Sequence, residues 1–290
     1  MHLIETVLFL LLAVVLSGWV ARITRIALPL VQIALGAGVV LITGQSVDLK
    51  PDVFFLLFLP PLLFVDGWRI PKEALFRDKV VILELALGLV VFTVVGLGFL
   101  IHWMIPAMPL AVAFALAAIL SPTDPIAVQA IAGRAPIPKR LMHILEGESL
   151  LNDATGLTCM RIAVIAATTG AFSLSSAFGT FAWLALAGVA VGIAVTLAIG
   201  LVKAFISRRW GEDVGGQILI SLLMPFAAYL AAEAVHASGI LAAVAAGVTM
   251  SFTERQGSAL AATRIRRAVV WDTVQFVANG LIFVILGEQM

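Results

Sequence analysis

Long apolar runs alternate along the chain with short breaks of charged, Pro or Gly residues, a pattern that predicts ten membrane-spanning helices. They lie near residues 3–20, 26–47, 53–65, 80–105, 109–132, 142–168, 178–206, 214–236, 238–252 and 268–286. The runs lack the roughly ten-residue alternation of barrel strands, so the spans are expected to be α-helices. The third is short and contains Pro60-Pro61, which predicts a bent helix extending past those bounds. Small residues recur, as Gly88, Gly96 and Gly98 in the fourth span and Gly188, Gly192 and Gly200 in the seventh. Such residues let helices approach closely in lipid.

Composition narrows the class. With 62% apolar and 12% charged residues, the chain carries about half the charge of an ordinary soluble domain. It reads as an all-α polytopic membrane protein whose surroundings are the lipid bilayer, with no nucleic-acid partner. Residues 1–20 lack a basic start and a small-residue cleavage site and so read as a first span. The single cysteine, Cys159, rules out an internal disulfide and multi-thiol metal sites. No phosphate-loop motif occurs, so ATP-driven transport has no support, and no pair of His residues has metal-ligand spacing on one helix.

The placement of charge says more than its sum. Of the 18 basic residues, 16 fall in odd-numbered connections: Arg22 and Arg25; Arg69, Lys72, Arg77 and Lys79; Arg134, Lys139 and Arg140; Lys203, Arg208 and Arg209; Arg255, Arg264, Arg266 and Arg267. Even connections hold Lys50 alone, and Arg161 lies inside the sixth span. The positive-inside rule then makes the odd connections cytoplasmic and puts the N-terminus outside the plasma (inner) membrane.

Asp124 and Asp153 each interrupt an apolar run. Asp124 sits in Ser121-Pro122-Thr123-Asp124-Pro125, and Asp153 in Glu148-Ser149-Leu150-Leu151-Asn152-Asp153. A carboxylate at mid-bilayer costs about 2.5–3.5 kcal/mol on the insertion scale, and such residues mark ion or proton pathways. Pro122 and Pro125 remove two helix donors and predict an interrupted helix around 121–125, the device by which transporters expose half-helix ends to ions. Asp124 also suits the N-cap of a half-helix that starts at Pro125. On a helix, Ser149 lies one turn before Asp153 and Glu148 one turn before Asn152, giving two adjacent polar faces. The other reading of that cluster is polar glue between helices, but glue needs an amide or hydroxyl, not two carboxylates in addition. Arg161, eight residues past Asp153, has two open readings: pairing with an acidic residue nearby, or snorkelling outward. Glu84 has Lys79 as a possible mate. Glu5, Glu233 and His236, near outer ends, are expected to be solvated, and His102 and His143 lie near span ends.

These residues resemble a known family. Pro60-Pro61-Leu62-Leu63-Phe64, Ser121-Pro122-Thr123-Asp124-Pro125, Gly147-Glu148-Ser149-Leu150-Leu151-Asn152-Asp153-Ala154-Thr155-Gly156 and Asn279-Gly280-Leu281 are similar to the bacterial sodium/proton antiporters of the monovalent cation:proton antiporter-1 family, relatives of the sodium/hydrogen exchangers. The resemblance implies thirteen spans arranged as inverted repeats, and a homodimer. In that scheme 1–290 is one incomplete transmembrane domain. Residues 1–66 and 214–290 supply dimerisation and scaffold helices, 79–170 half of the ion-transporting core, and 178–206 a linking helix. The resemblance places Na⁺ on Asp153, Asp124, Ser149 and Thr123, with Asn152 marking electroneutral exchange and Glu148 bracing the site; no cofactor is implied beyond the transported Na⁺ and H⁺. Many relatives carry a glutamate where Val65 stands here, with Asp66 next. Asp66 is either a substitute for it or a residue turned about 100° away. Three expected spans are absent, so the sequence is expected to continue past Met290, and residues 1–290 alone are expected to insert but not to exchange ions.

Together these features predict exchange of Na⁺, with Li⁺ and K⁺ as further candidates, for H⁺. Desolvation between helices disfavours a charged Asp153, so it holds either a proton or a cation, and alternating exposure turns that competition into exchange. The rival readings are a non-transporting fragment, a cation channel and an intramembrane aspartyl protease. A channel needs rings of like groups, and nothing here repeats to supply them. The protease carries Gly-Asp or Tyr-Asp where this chain has Thr123-Asp124 and Asn152-Asp153.

Overall fold

The computed structural model describes residues 2–43, 50–123, 128, 137–170, 174–211, 213–255 and 261–290, and a helix lies over each of the ten predicted segments. In chain order these are α1 (His2–Thr24), α2 (Leu28–Thr43), α3 (Pro51–Arg69), a short α4 (Lys72–Arg77), α5 (Lys79–Met104) and α6 (Leu110–Leu120). There follow α7 (Lys139–Thr169), α8 (Leu174–Trp210), α9 (Val214–Ala234), α10 (Gly239–Arg255) and α11 (Ala261–Glu288). Six of them, α1, α5, α7, α8, α9 and α11, are long and apolar enough to cross a membrane, while α2, α6 and α10 are shorter and apolar. The outward faces suit lipid rather than water: Phe92, Trp103, Phe178 and Leu201 are each more than 70% exposed.

Helix α3 runs well past the predicted 53–65 in both directions, and Pro60 and Pro61 lie within it, both buried. Helix α6 stops at Leu120, short of the expected 132. Asp124 and Pro125 lie outside the described residues, so only the first half of the predicted interruption is on view. One feature had no sequence signal: α5 contains a π-helical turn, Glu84–Leu89, packed on α7. Such turns often sit beside functional sites. Glu84, at its start, is exposed and is not paired with Lys79 among the described residues.

The helices pack in two groups. Helices α5, α6 and α7 form one, joined by an apolar cluster of Val90, Val94 and Ala118 with Phe114, Cys159 and Met160 around it. The other is built around α10, buried on every side from 239 to 247, which packs on α3, α8 and α9. Alanine and glycine permit this. A Cβ at Gly67 would lie 2.7 Å from the Val244 carbonyl, and one at Gly247 would run into the Phe64 backbone. Helices α2 and α11 meet the same way at Gly36 and Gly287. Of the glycines picked out above, Gly98, Gly188 and Gly192 sit at close approaches. Gly88, Gly96 and Gly200 meet nothing within 4 Å among the described residues, so they are not packing points here.

Several basic residues that mark topology in the sequence also hold the helix ends. The buried Lys72 ammonium donates to the carbonyls of Gly67 (3.1 Å), Trp68 (2.6 Å) and Ile70 (2.8 Å), capping the negative end of α3. Asp78, between α4 and α5, accepts from Arg140 at 2.8 Å on one oxygen and from Arg77 at 3.0 Å on the other. The Arg140 hydrogen bond, then that of Arg77, holds the Asp78 carboxyl below its ordinary value of 3.8. The clasp between α5 and the start of α7 is therefore complete above that value and is lost as pH falls through the lowered one.

Candidate functional site

Helix α7 carries the site because its polar residues recur at helical spacing. Ser149 and Asp153, one turn apart, both line a cavity of about 580 Å³ between α7, α3 and α11. Asp66 of α3 and Asn279 of α11 line the same cavity, and Glu146 and His143 line it one and two turns before Ser149. Asp153 and Ser149 are half-buried, as suits groups that face a solvent-reachable cleft inside a bundle. Oxygen ligands of this kind fit a hard cation.

The adjacent face of α7 does something different. Glu148 and Asn152 are buried, and both bond to Thr123, just past the end of α6. The Thr123 hydroxyl donates to Glu148 Oε2 at 2.9 Å. The Asn152 amide donates to Glu148 Oε1 at 2.8 Å, to Thr123 Oγ1 at 3.0 Å and to the Thr123 carbonyl at 3.2 Å. A buried carboxylate is tolerable only when hydrogen-bonded, and here one amide and one hydroxyl meet both of its oxygens. The result ties the non-helical end of α6 to the middle of α7. Close backbone packing supports it: a Cβ at Gly156 would lie 2.5 Å from the Pro122 ring.

Three of the four residues expected around Na⁺ are thus placed, in two locations. Ser149 and Asp153 share the cavity, whereas the Thr123 side chain engages Glu148 and Asn152 on the neighbouring face; Asp124 lies outside the described residues. Val65 is buried in the apolar core with Phe64 and Trp271, and Asp66, one residue on, turns to the cavity. The 100° rotation between them therefore points the carboxylate at Asp153's side of the helix pair, not away from it.

Arg161 pairs with Glu233 of α9 at 3.4 Å, which chooses the acidic-partner reading over outward snorkelling and places the partner away from the cavity. The expectation that Glu233 is merely solvated is corrected by the same contact and by the Gly239 N–H, which it accepts at 3.4 Å. His143 faces Glu146 at 3.4 Å. Sequence reasoning missed a cluster at the cavity's edge. Gln275 of α11 donates from Nε2 to Asp66 Oδ1 at 3.1 Å and accepts from Arg69 at 2.7 Å. Arg69 also donates to Asp272 at 2.5 Å. An apolar run with a few scattered polar residues reads as ordinary span, so the signal was the spacing Asp272, Gln275, Asn279 along one face.

A profile of the family described as "Sodium/hydrogen exchanger, transmembrane" matches residues 10–290. The chain is 45% identical over 294 residues to "Uncharacterized Na(+)/H(+) exchanger YjcE" of Escherichia coli (strain K12), covering 100% of this chain and 54% of that protein. It is also 45% identical over 293 residues to "Sodium, potassium, lithium and rubidium/H(+) antiporter" of Bacillus subtilis (strain 168), covering 100% of this chain and 44% of that one. Among solved structures, the sodium proton antiporter MjNhaP1 from Methanocaldococcus jannaschii at pH 8 has a similar fold. Its TM-score is 0.69 at 21% identity, covering 99% of this chain and 71% of that chain. The chain spans about half the length of the curated relatives it matches.

Proposed function

The chain belongs to the sodium/hydrogen exchanger family, and on that premise we propose that it is the part of a cation/proton antiporter that carries the exchanged ion's carboxylate. The observation that carries this reading is the pairing of Asp153 and Ser149 on one cavity with Asp66, while Glu148 and Asn152 fix the next face of the same helix. Asp153 takes up a proton or a cation in turn, and Ser149 adds a neutral oxygen ligand. Asp124 and Thr123 are the further ligands that the family resemblance implies. With Asn152 neutral, Asp153 is the one titrating group of the Asn152-Asp153 pair, hence one-for-one exchange. Na⁺ is the first candidate, and K⁺ and Li⁺ enter because the Bacillus subtilis relative's name includes them.

The two packing groups fit a division of labour. Helices α5–α7 act as half of the moving core, α1–α3 and α9–α11 as scaffold with a dimer contact, and α8 as the link. The charge pattern supports an inner-membrane orientation with the N-terminus outside. Cysteines at 139 and 107, in a Cys159→Ala background, test it with an impermeant thiol reagent on intact cells: position 107 labels and position 139 does not. The reverse pattern inverts the topology.

The function itself is tested with the full-length protein in liposomes loaded with a pH-sensitive dye. Addition of Na⁺ should move protons against it, with a rate that saturates and that vanishes without a counter-gradient. Non-saturating flux down a single gradient would point to a channel instead.

A further inference from the structure

We propose that Gln275 is a positioning residue for the ion cavity: its amide holds the Asp66 carboxylate toward the cavity and keeps the Arg69 guanidinium engaged elsewhere. Asp66 and Arg69 are three residues apart on α3, so they share a face and come within reach of each other. Both line the cavity that holds Ser149 and Asp153, as does Gln275. Left together, a fixed guanidinium and a carboxylate form a strong charge-assisted pair, and a cation arriving at Asp66 would have to compete with it.

Gln275 stands between them. An amide accepts at its oxygen and donates at its nitrogen, and here the oxygen takes Arg69 Nη1 at 2.7 Å while the nitrogen gives to Asp66 Oδ1 at 3.1 Å. Asp272, one turn earlier on α11, takes Arg69 Nη2 at 2.5 Å. Two of the guanidinium's nitrogens are thus committed to α11. The Gln275 amide, a neutral donor, orients the Asp66 carboxyl at the cavity's edge. A carboxylate at position 275 could not donate to Asp66, and an apolar side chain could hold neither neighbour.

This inference rests on reading the cavity as the ion site, and its test separates the two. The full-length protein is reconstituted in liposomes, and initial rates of Na⁺-driven proton movement are measured against Na⁺ concentration. Gln275→Leu frees Arg69 to turn to Asp66, so KM for Na⁺ should rise about tenfold, the scale of one hydrogen bond to a charged group, while the maximal rate is largely retained. Adding Arg69→Leu removes the competitor and should bring KM back toward the unsubstituted protein. In an Asp66→Asn background, Gln275→Leu should raise KM no further. Gln275→Met, which keeps the side chain's length, carries the same expectation where the leucine variant does not fold. An unchanged KM, or a raised one that Arg69→Leu leaves in place, overturns the role of Gln275. Exchange that survives Asp153→Asn overturns the reading of the cavity instead, whatever Gln275 does.

Discussion

Asp153→Asn should reduce Na⁺/H⁺ exchange to the background of empty liposomes while the protein still folds. The two side chains have nearly the same shape, so the half-buried position between α7 and the cavity accepts either. They differ in chemistry: asparagine neither binds a proton in the working pH range nor presents a negative charge to a cation. Folding should survive because a neutral group at membrane depth costs less than a carboxylate. The buried network on the adjacent face runs through Glu148, Asn152 and Thr123 and does not include Asp153, so the substitution leaves that network in place. Dye-monitored proton flux with the full-length protein measures the loss, and elution as a single species in detergent controls for folding. Normal Na⁺-driven proton movement in this variant would remove carboxylate competition from the mechanism.

The second large effect is on stability. Arg267 of α11 is fully buried and forms an ion pair with Glu254 of α10, whose other oxygen accepts from the Trp68 indole at 2.8 Å. The three side chains join α10 and α11 to the end of α3, the helix that presents Asp66. Arg267→Met leaves the Glu254 carboxylate at 7% exposure with the indole as its one remaining donor among the described residues. Removing one member of a buried pair costs about 3–5 kcal/mol. Replacing both, as Glu254→Gln with Arg267→Met, leaves no bare charge and should recover most of that loss, because a neutral core of similar volume is about as stable as a buried pair. Thermal unfolding in detergent distinguishes the outcomes. A single variant as stable as the parent would show that water reaches Glu254 and that the pair is not structural.

How far the molecule could be read from its sequence depends on whether a feature is local. The helices were legible because each is an apolar run bounded by charge, Pro or Gly. The two polar faces of α7 were legible because residues four apart must share a face. Their tertiary assignments were not. Thr123 belongs by sequence with Asp124, yet its hydroxyl turns to Glu148 and Asn152, a choice set by how α6 ends against α7. Arg267 follows Arg264 and Arg266 and counts as one more topology marker, but it points inward while those two are exposed. Lys72 likewise has its charge spent on the end of α3. The π turn at Glu84–Leu89 has an ordinary apolar sequence, and its extra residue is visible only in the backbone. How α6 ends against α7 and how α11 rotates against α10 decide the placements of Thr123 and Arg267, and no pattern within a single segment encodes either.

The central claim is that a cation and a proton compete for one carboxylate, Asp153. The most direct measurement is proton release on cation binding: Na⁺ is added to the full-length protein in weakly buffered detergent solution with a pH indicator, and bound Na⁺ is measured in parallel. Competition predicts about one proton released per Na⁺ bound at pH values where the site is protonated, falling away as pH rises, and none in Asp153→Asn. Na⁺ binding without proton release, or release that persists in Asp153→Asn, would contradict it.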